Sequence, residues 1–409
     1  MLAAAFALWM QTQSAPPEFA REDLGIAVRR LPEGYRLRKP DEDSDVVFEI
    51  SDEAGKATGS AVHLAGWPRA RGRADAWEGA VRKDRATRSL RLVKEEVLAP
   101  ALGEALRREW VLETAEGSRC ILGLFVSRGD RTLRLLLQAP QDAWDRVRDP
   151  LVRLTDAVEM HHVWRCAACG AAAMGGTASC PQCAASLYPR DDRIRDFSRK
   201  FEIQIVLDPS RSLPIGDVSG EAPARRDAEA FCPMLAREVK KYPDDFFRRV
   251  DVGRILLLRD IRFKNPPPGK VLAFAMYHPR FAMVIDVTEK QKFATIHHEF
   301  FHFLDFVPDY STKDGDWVAL NEKGFRYDST LWAESLAESK VKGFISQYAR
   351  AGEAEDKAEL FACLMMDQKR ARVRAQGDAV LARKLARLKE IVREFCPKMD
   401  DEHWRSLDR

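Results

Sequence analysis

Three residues in the stretch Ile296 to Phe306, IHHEFFHFLDF, have the types and spacing for metal chemistry: His298, Glu299 and His302, in the order His-Glu-x-x-His. On a helix, positions i and i+4 lie one above the other, so the two imidazoles can bind one metal ion together. Neutral imidazoles so arranged suit Zn²⁺, and Glu299 sits where it can reach a water on the metal. His297 lies about 100° around the helix from His298 and reads as a neighbour only. A third ligand must come from elsewhere in the chain.

Downstream, Glu353 to Asp367 reads as a second helix, on which Glu355 and Glu359 are spaced i, i+4. One of them can ligate while the other supports the ligands from one turn away; the plain alternative is a solvated acidic face. Asp305, seven residues after His298, is placed either to hold a ligand imidazole or to face solvent near the helix end.

Here the sequence resembles a known family. HEFFH followed by YARAGEAEDKAE is similar to the lethal-factor-like gluzincin metallopeptidases, which include secreted zinc peptidases of bacteria. The resemblance implies a catalytic zinc on His298, His302 and Glu355, with Glu359 behind them and Tyr348 pointing its hydroxyl at the reacting water. Trp317-x-x-Leu320-Asn321-x-x-Gly324-Phe325-x-Tyr327 also resembles a loop of that family. Lys357 departs from it, since the family places a bulky apolar residue there. The implied activity is that of a zinc-dependent endopeptidase acting on a protein or peptide substrate. Glu299 would be its general base and Tyr348 the donor to the tetrahedral oxyanion.

The elements around these residues follow from periodicity. Apolar Phe281 to Val287 reads as a strand running into Thr288 and Glu289, an N-cap with an acid in the first turn. Phe293, Ile296, Phe300, Phe303, Leu304 and Val307 then recur at helical spacing until Pro308 stops the helix. Upstream, Pro189 to Lys200 reads as a charged linker or first helix, Phe201 to Leu207 as a strand, Arg225 to Tyr242 as a helix and Arg254 to Asp260 as a strand. Asn265 to Gly269 makes a turn, and Val271 to Met276 pairs with Phe281 to Val287. Phe281 to Val287 is the expected edge on which an extended peptide could pair its backbone. Past the second helix, Gln368 to Phe395 is basic and amphipathic, and its stripe of Leu381, Leu385, Leu388, Val392 and Phe395 is expected to pack on its own domain.

A second cluster lies earlier. Cys166, Cys169, Cys180 and Cys183 form two Cys-x-x-Cys pairs separated by ten residues that include three glycines, Gly170, Gly175 and Gly176. This looks like a zinc ribbon, a closed four-thiolate site that holds structure. Two disulfides or a redox pair are the competing readings. His161 and His162, just before it, are not needed to complete the shell. Cys120, Cys232, Cys363 and Cys396 are scattered and read as buried thiols.

Ahead of the ribbon, strands at Leu24 to Val28, Leu31 to Leu37, Val46 to Ile50, Leu90 to Val93, Glu109 to Thr114, Cys120 to Ser127 and Thr132 to Gln138 lead to a helix, Trp144 to Ala157. The strand and Leu31-Pro-Glu-Gly-Tyr35 turn resemble PsbP-like α+β domains, which implies an accessory role. The expected architecture is therefore a multidomain α+β chain: a PsbP-like domain over 17–160, a zinc ribbon over 163–188 and a zincin-like metallopeptidase domain over 189–409. One zinc would be catalytic and one structural.

The 409 residues carry 66 basic and 63 acidic side chains, so total charge calls for neither nucleic acid nor an anionic membrane. Met1 to Ala15 has a short apolar run followed by small polar residues, the outline of a secretory signal without a basic start. Secretion or a periplasmic location is expected, the cytoplasm being the alternative favoured by free thiolates. No stretch is long enough to span a membrane. Two other functions fit parts of the chain: a non-catalytic peptide-binding protein on a zincin shell, and a nucleic-acid-binding ribbon. Against the second, Arg165 is the single basic residue between Trp164 and Tyr188. Nothing in the sequence sets an oligomeric state.

Overall fold

The structure, a computed structural model, describes residues 17–21, 23–38, 46–52, 54–55, 57–65, 70–98, 104–129, 131–189, 191–207, 218–264, 271–277, 281–288, 292–308, 311–333 and 337–407. The expected signal (Met1 to Ala15) and the turn at Asn265 to Gly269 lie outside them. The chain divides into two compact units, one built almost entirely from residues before Trp164 and the other from Trp164 onward.

In the first unit, period-2 apolar patterning makes a seven-stranded sheet. Its spatial order is Tyr35–Arg38, Val46–Asp52, Thr58–Ala65, Arg131–Pro140, Gly117–Arg128, Glu104–Thr114 and Thr87–Leu98. One face buries Phe48, Ile50, Leu122, Leu124, Leu133, Leu135 and Leu137 with Leu151 and Leu154 of the helix Trp144–Asp156. The other face buries Trp110, Ile121 and Phe125 beneath the helix Ala70–Lys83. That helix and the strand Thr58–Ala65 had no apolar signature. The helix contains two glycines and buries only Ala70 and Ala74, and the strand is made largely of small residues. Phe19–Arg21, Ile26–Val28 and Val158–Met160 form a separate three-stranded sheet.

The second unit is built on a five-stranded sheet. Gln204–Val206, Arg254–Phe263, Ala282–Asp286 and Ala273–Met276 lie side by side in that order, and Val218–Glu221 pairs with Arg254–Phe263. The first three are parallel and the last is antiparallel. The expected edge strand is therefore corrected. Ala282–Asp286 lies inside the sheet with every residue buried, and Ala273–Met276 forms the edge. An apolar run shows that a strand is buried, and full burial on both faces marks an interior strand. Phe201 to Leu207 also differs: a helix, Asp192–Phe201, takes its start, and only Gln204–Val206 is strand. The expected helix Arg225 to Tyr242 ends earlier, at Val239, and a separate helix, Asp244–Val250, follows Pro243.

Against the sheet packs the helix Lys292–Phe306, and a second central helix, Glu353–Met366, packs on the first. The first is described from Lys292; Glu289 of the expected cap lies outside the described residues, and the Thr288 N–H and hydroxyl both donate to Asp286. The basic tail forms two helices, Gln368–Gln376 and Ala379–Phe395. Asp378 caps the second by accepting from the N–H groups of Val380 and Leu381. Its apolar stripe, Leu381 to Phe395, is buried. Among the described residues, no helix is long and apolar enough to cross a membrane.

Candidate metal centre

The two central helices bring together residues that stand 57 positions apart in the chain. His298 Nε2 lies 3.0 Å from Glu355 Oε2 and 3.0 Å from His302 Nε2, and His302 Nε2 lies 3.6 Å from Glu355 Oε2. Tetrahedral zinc ligands at about 2.1 Å from the ion stand roughly 3.4 Å from one another, so the three donors have the separation one ion needs. All three side chains are buried.

The electrostatics favour a cation. Burial alone would lower the pKa of His298, but the carboxylates of Glu355 and Glu359 outweigh it and hold the pKa well above the ordinary value. Burial would raise Glu355, but the charge on His302 and hydrogen bonds with both imidazoles hold it well below the carboxylate range. A pocket that stabilises positive charge between these groups stabilises a bound cation by the same terms.

Glu299 shares the motif helix and is buried, and its Oε2 has no hydrogen-bond partner. Burial raises its pKa, an effect that His298 and His302 offset only in part. A buried, unpartnered carboxylate oxygen costs about 1–3 kcal/mol or more, a cost that a water or ligand bound there would relieve.

Tyr348 opens a short 3₁₀ turn, Tyr348–Arg350, and its ring centroid lies 5.9 Å from that of His298. Burial, with Glu355 and Glu299 nearby, raises its phenol far above the ordinary value. The hydroxyl therefore stays protonated as a donor. Glu359 holds His298, its Oε1 lying 2.9 Å from Nδ1. A carboxylate at Nδ1 fixes the tautomer that leaves Nε2 free for a metal.

Asp305 has a different partner from a ligand imidazole. Its Oδ1 accepts from Lys357 Nζ at 2.7 Å, and Lys357 also donates to the Thr312 carbonyl. Lys357, the departure from the family pattern, is 1% exposed and ties the two central helices together. His297 is also more than a neighbour. Fully buried, it contacts the Tyr242 hydroxyl at 2.6 Å and Glu238 Oε2 at 3.0 Å, joining the motif helix to Arg225–Val239.

A further buried pair secures the other helix. Asp356, next to Glu355, accepts from Lys384 at 2.7 Å, from Trp317 Nε1 at 2.9 Å and from the Tyr327 hydroxyl at 2.8 Å. Lys384, fully buried, also donates to the Gly343 carbonyl, while the Gly343 N–H donates to Asp378 at 2.6 Å. Gly343 has φ 85°, and a Cβ there would meet Val380 at 2.6 Å, so only glycine fits this pinned turn. No sequence signal marked Lys384 or Asp356, because an isolated charge defaults to the surface.

The four cysteines also converge. Cys166 and Cys183 sulfurs stand 3.6 Å apart and Cys169 and Cys180 sulfurs 3.5 Å apart. Tetrahedral thiolates around zinc stand roughly 3.8 Å apart, whereas a disulfide needs about 2.05 Å. All four are free, and their sulfurs lie within 4.8 Å of one another. Each pair sits on a turn closed by its own backbone, Gly170 N–H to Cys166 O and Ala184 N–H to Cys180 O. The Gln204 side chain bonds the backbone of Arg165 in both directions, stitching the ribbon to the first strand of the five-stranded sheet.

Residues 280–398 match a family described as "Putative zinc-binding metallo-peptidase". The match spans less than a third of the chain and includes His298, Glu299, His302, Tyr348, Glu355 and Glu359. The C-terminal part is thus similar to zinc-binding metallopeptidases, and the site it contains is a candidate metal-binding group. The comparison with curated proteins returned no match. Similar solved structures include cyanobacterial PsbP from Synechocystis, with 12% identity, 35% of this chain and 91% of that chain covered, and a TM-score of 0.30. LpqN of Mycobacterium tuberculosis gives 14%, 33%, 82% and 0.27. The Ran-binding protein Mog1p of Saccharomyces cerevisiae gives 8%, 33%, 86% and 0.22.

Proposed function

We propose that the chain is a zinc-dependent endopeptidase of the lethal-factor-like gluzincin type, with His298, His302 and Glu355 holding the catalytic zinc. The observation that carries this reading is the unpartnered buried oxygen of Glu299 on the same helix as two of three converging metal donors. Bound there, zinc would lower the pKa of a water toward 7 and polarise a carbonyl. Glu299, its affinity for a proton raised by burial, takes a proton from the attacking water and delivers it to the leaving amine. Tyr348, kept protonated, donates to the developing oxyanion. Glu359 orients His298. A substrate backbone would extend along the edge strand Ala273–Met276.

In the same reading the ribbon holds a second, structural zinc, and the domains follow the divisions 17–160, 163–188 and 189–409. The first would be a PsbP-like accessory domain. The apolar run in Met1 to Ala15 supports secretion or a periplasmic location. The test uses the full chain and an unstructured protein substrate such as casein. Glu299→Gln should keep its zinc and lose at least ~100-fold in turnover, whereas Glu355→Ala should lose zinc as well. Cleavage by Glu299→Gln at the parent rate would end the assignment.

A further inference from the structure

The loop that delivers Tyr348 contains a second polar side chain with no role in the chemistry above. Ser346 is 3% exposed. Its hydroxyl donates to Glu359 Oε2 at 2.7 Å and accepts from the Ala349 N–H at 3.1 Å. A serine hydroxyl has one proton to give, and here it goes to the carboxylate. Its acceptor capacity goes to the backbone of the 3₁₀ turn that begins at Tyr348.

Both oxygens of Glu359 are thereby engaged, Oε1 with His298 Nδ1 and Oε2 with Ser346. His298 is fixed from two sides, by Glu359 at its edge and by the Tyr348 ring at 5.9 Å between centroids. One hydroxyl thus joins the carboxylate that orients a ligand imidazole to the turn that carries the oxyanion donor. The loop is also held from behind, since Gly343 is pinned through its N–H by Asp378 and through its carbonyl by Lys384.

We infer that Ser346 is a positioning residue for the metal centre: through Glu359 it sets the orientation of His298, and through Ala349 it sets the place of Tyr348. This rests on the zinc-site reading above. The competing role is that of a simple cap on the 3₁₀ turn. A cap would affect stability and leave metal affinity untouched. A positioning residue acts on the metal through Glu359, so its loss and the loss of Glu359 should not add.

The experiment is a double-mutant cycle of Ser346→Ala and Glu359→Gln in the full chain. The readout is competition by a chelator for the zinc that is missing from Glu355→Ala, with circular dichroism confirming the fold of each variant. Each single change should weaken zinc binding by about 10-fold or more. The double variant should be no weaker than Glu359→Gln alone by more than about 3-fold. Parent-like zinc affinity in a folded Ser346→Ala, or costs that multiply in full, would overturn the inference. A parent chain that binds no zinc displaced by Glu355→Ala would instead overturn the site itself. Should Ser346→Ala not fold, the same cycle with Ser346→Gly, which also removes the donor to Glu359, decides between the two results by the same criteria.

Discussion

The two candidate metal clusters of this chain are assembled in opposite ways. Cys166 and Cys183 stand 17 positions apart, and each Cys-x-x-Cys pair sits in a turn that its own backbone closes. His298 and Glu355 stand 57 positions apart and meet only because two helices pack. The cysteine cluster reaches the surface at Cys183, whereas all three donors of the other cluster are buried. A short-range cluster can be organised by its metal. A long-range one has to be organised before the metal arrives, so the polar groups behind it are bonded: His297 to Tyr242 and Glu238, Lys357 to Asp305, Lys384 to Asp356.

The comparison can be broken most forcefully at the ribbon. Cys180→Ser should unfold the cysteine cluster, because structural zinc is worth on the order of 10 kcal/mol of apparent folding energy. Through Gln204 it should also lower the thermal midpoint of the second unit. His302→Ala should move that midpoint far less, and differential scanning calorimetry of the two variants compares them directly. Equal shifts would mean that the two clusters are not organised differently.

Lys384→Met tests the opposite side. It leaves Asp356 buried without its cation, and should cost about 3–5 kcal/mol in denaturant unfolding. A cost under about 1 kcal/mol would show that the helix bearing Glu355 does not depend on this pair. The smallest effect belongs to Ala184, which adopts φ 57° directly after the second cysteine pair, where Gly170 follows the first with φ 79°. Ala184→Gly should stabilise the folded ribbon by about 1 kcal/mol and leave its zinc content unchanged. A loss of stability would mean that the methyl group makes contacts that outweigh the backbone strain.

How much was legible in the sequence follows the same divide. His298, Glu299 and His302 could be read from spacing on one helix, and the four cysteines from spacing in two turns. Glu355 and Tyr348 needed the family resemblance, because no local rule joins residues on separate elements. The buried polar pairs were invisible. Lys384 and Asp356 lie 28 positions apart, Glu238 and His297 59 apart, and charged residues read singly belong on the surface. The edge strand was misplaced for a related reason: hydrophobicity along the chain gives burial, while lateral order in a sheet is set by chain crossings. The helix Ala70–Lys83 escaped notice because it buries two alanines rather than an apolar stripe.

The most direct test of the account is the zinc content per full chain of the parent, of His302→Ala and of Cys180→Ser, measured by plasma emission after exhaustive dialysis. The account predicts two zinc ions in the parent and one in each variant, with cleavage of an unstructured protein lost only in His302→Ala among variants that remain folded. A parent with a single ion that survives in His302→Ala would contradict it, because the His298, His302 and Glu355 cluster would then hold no metal.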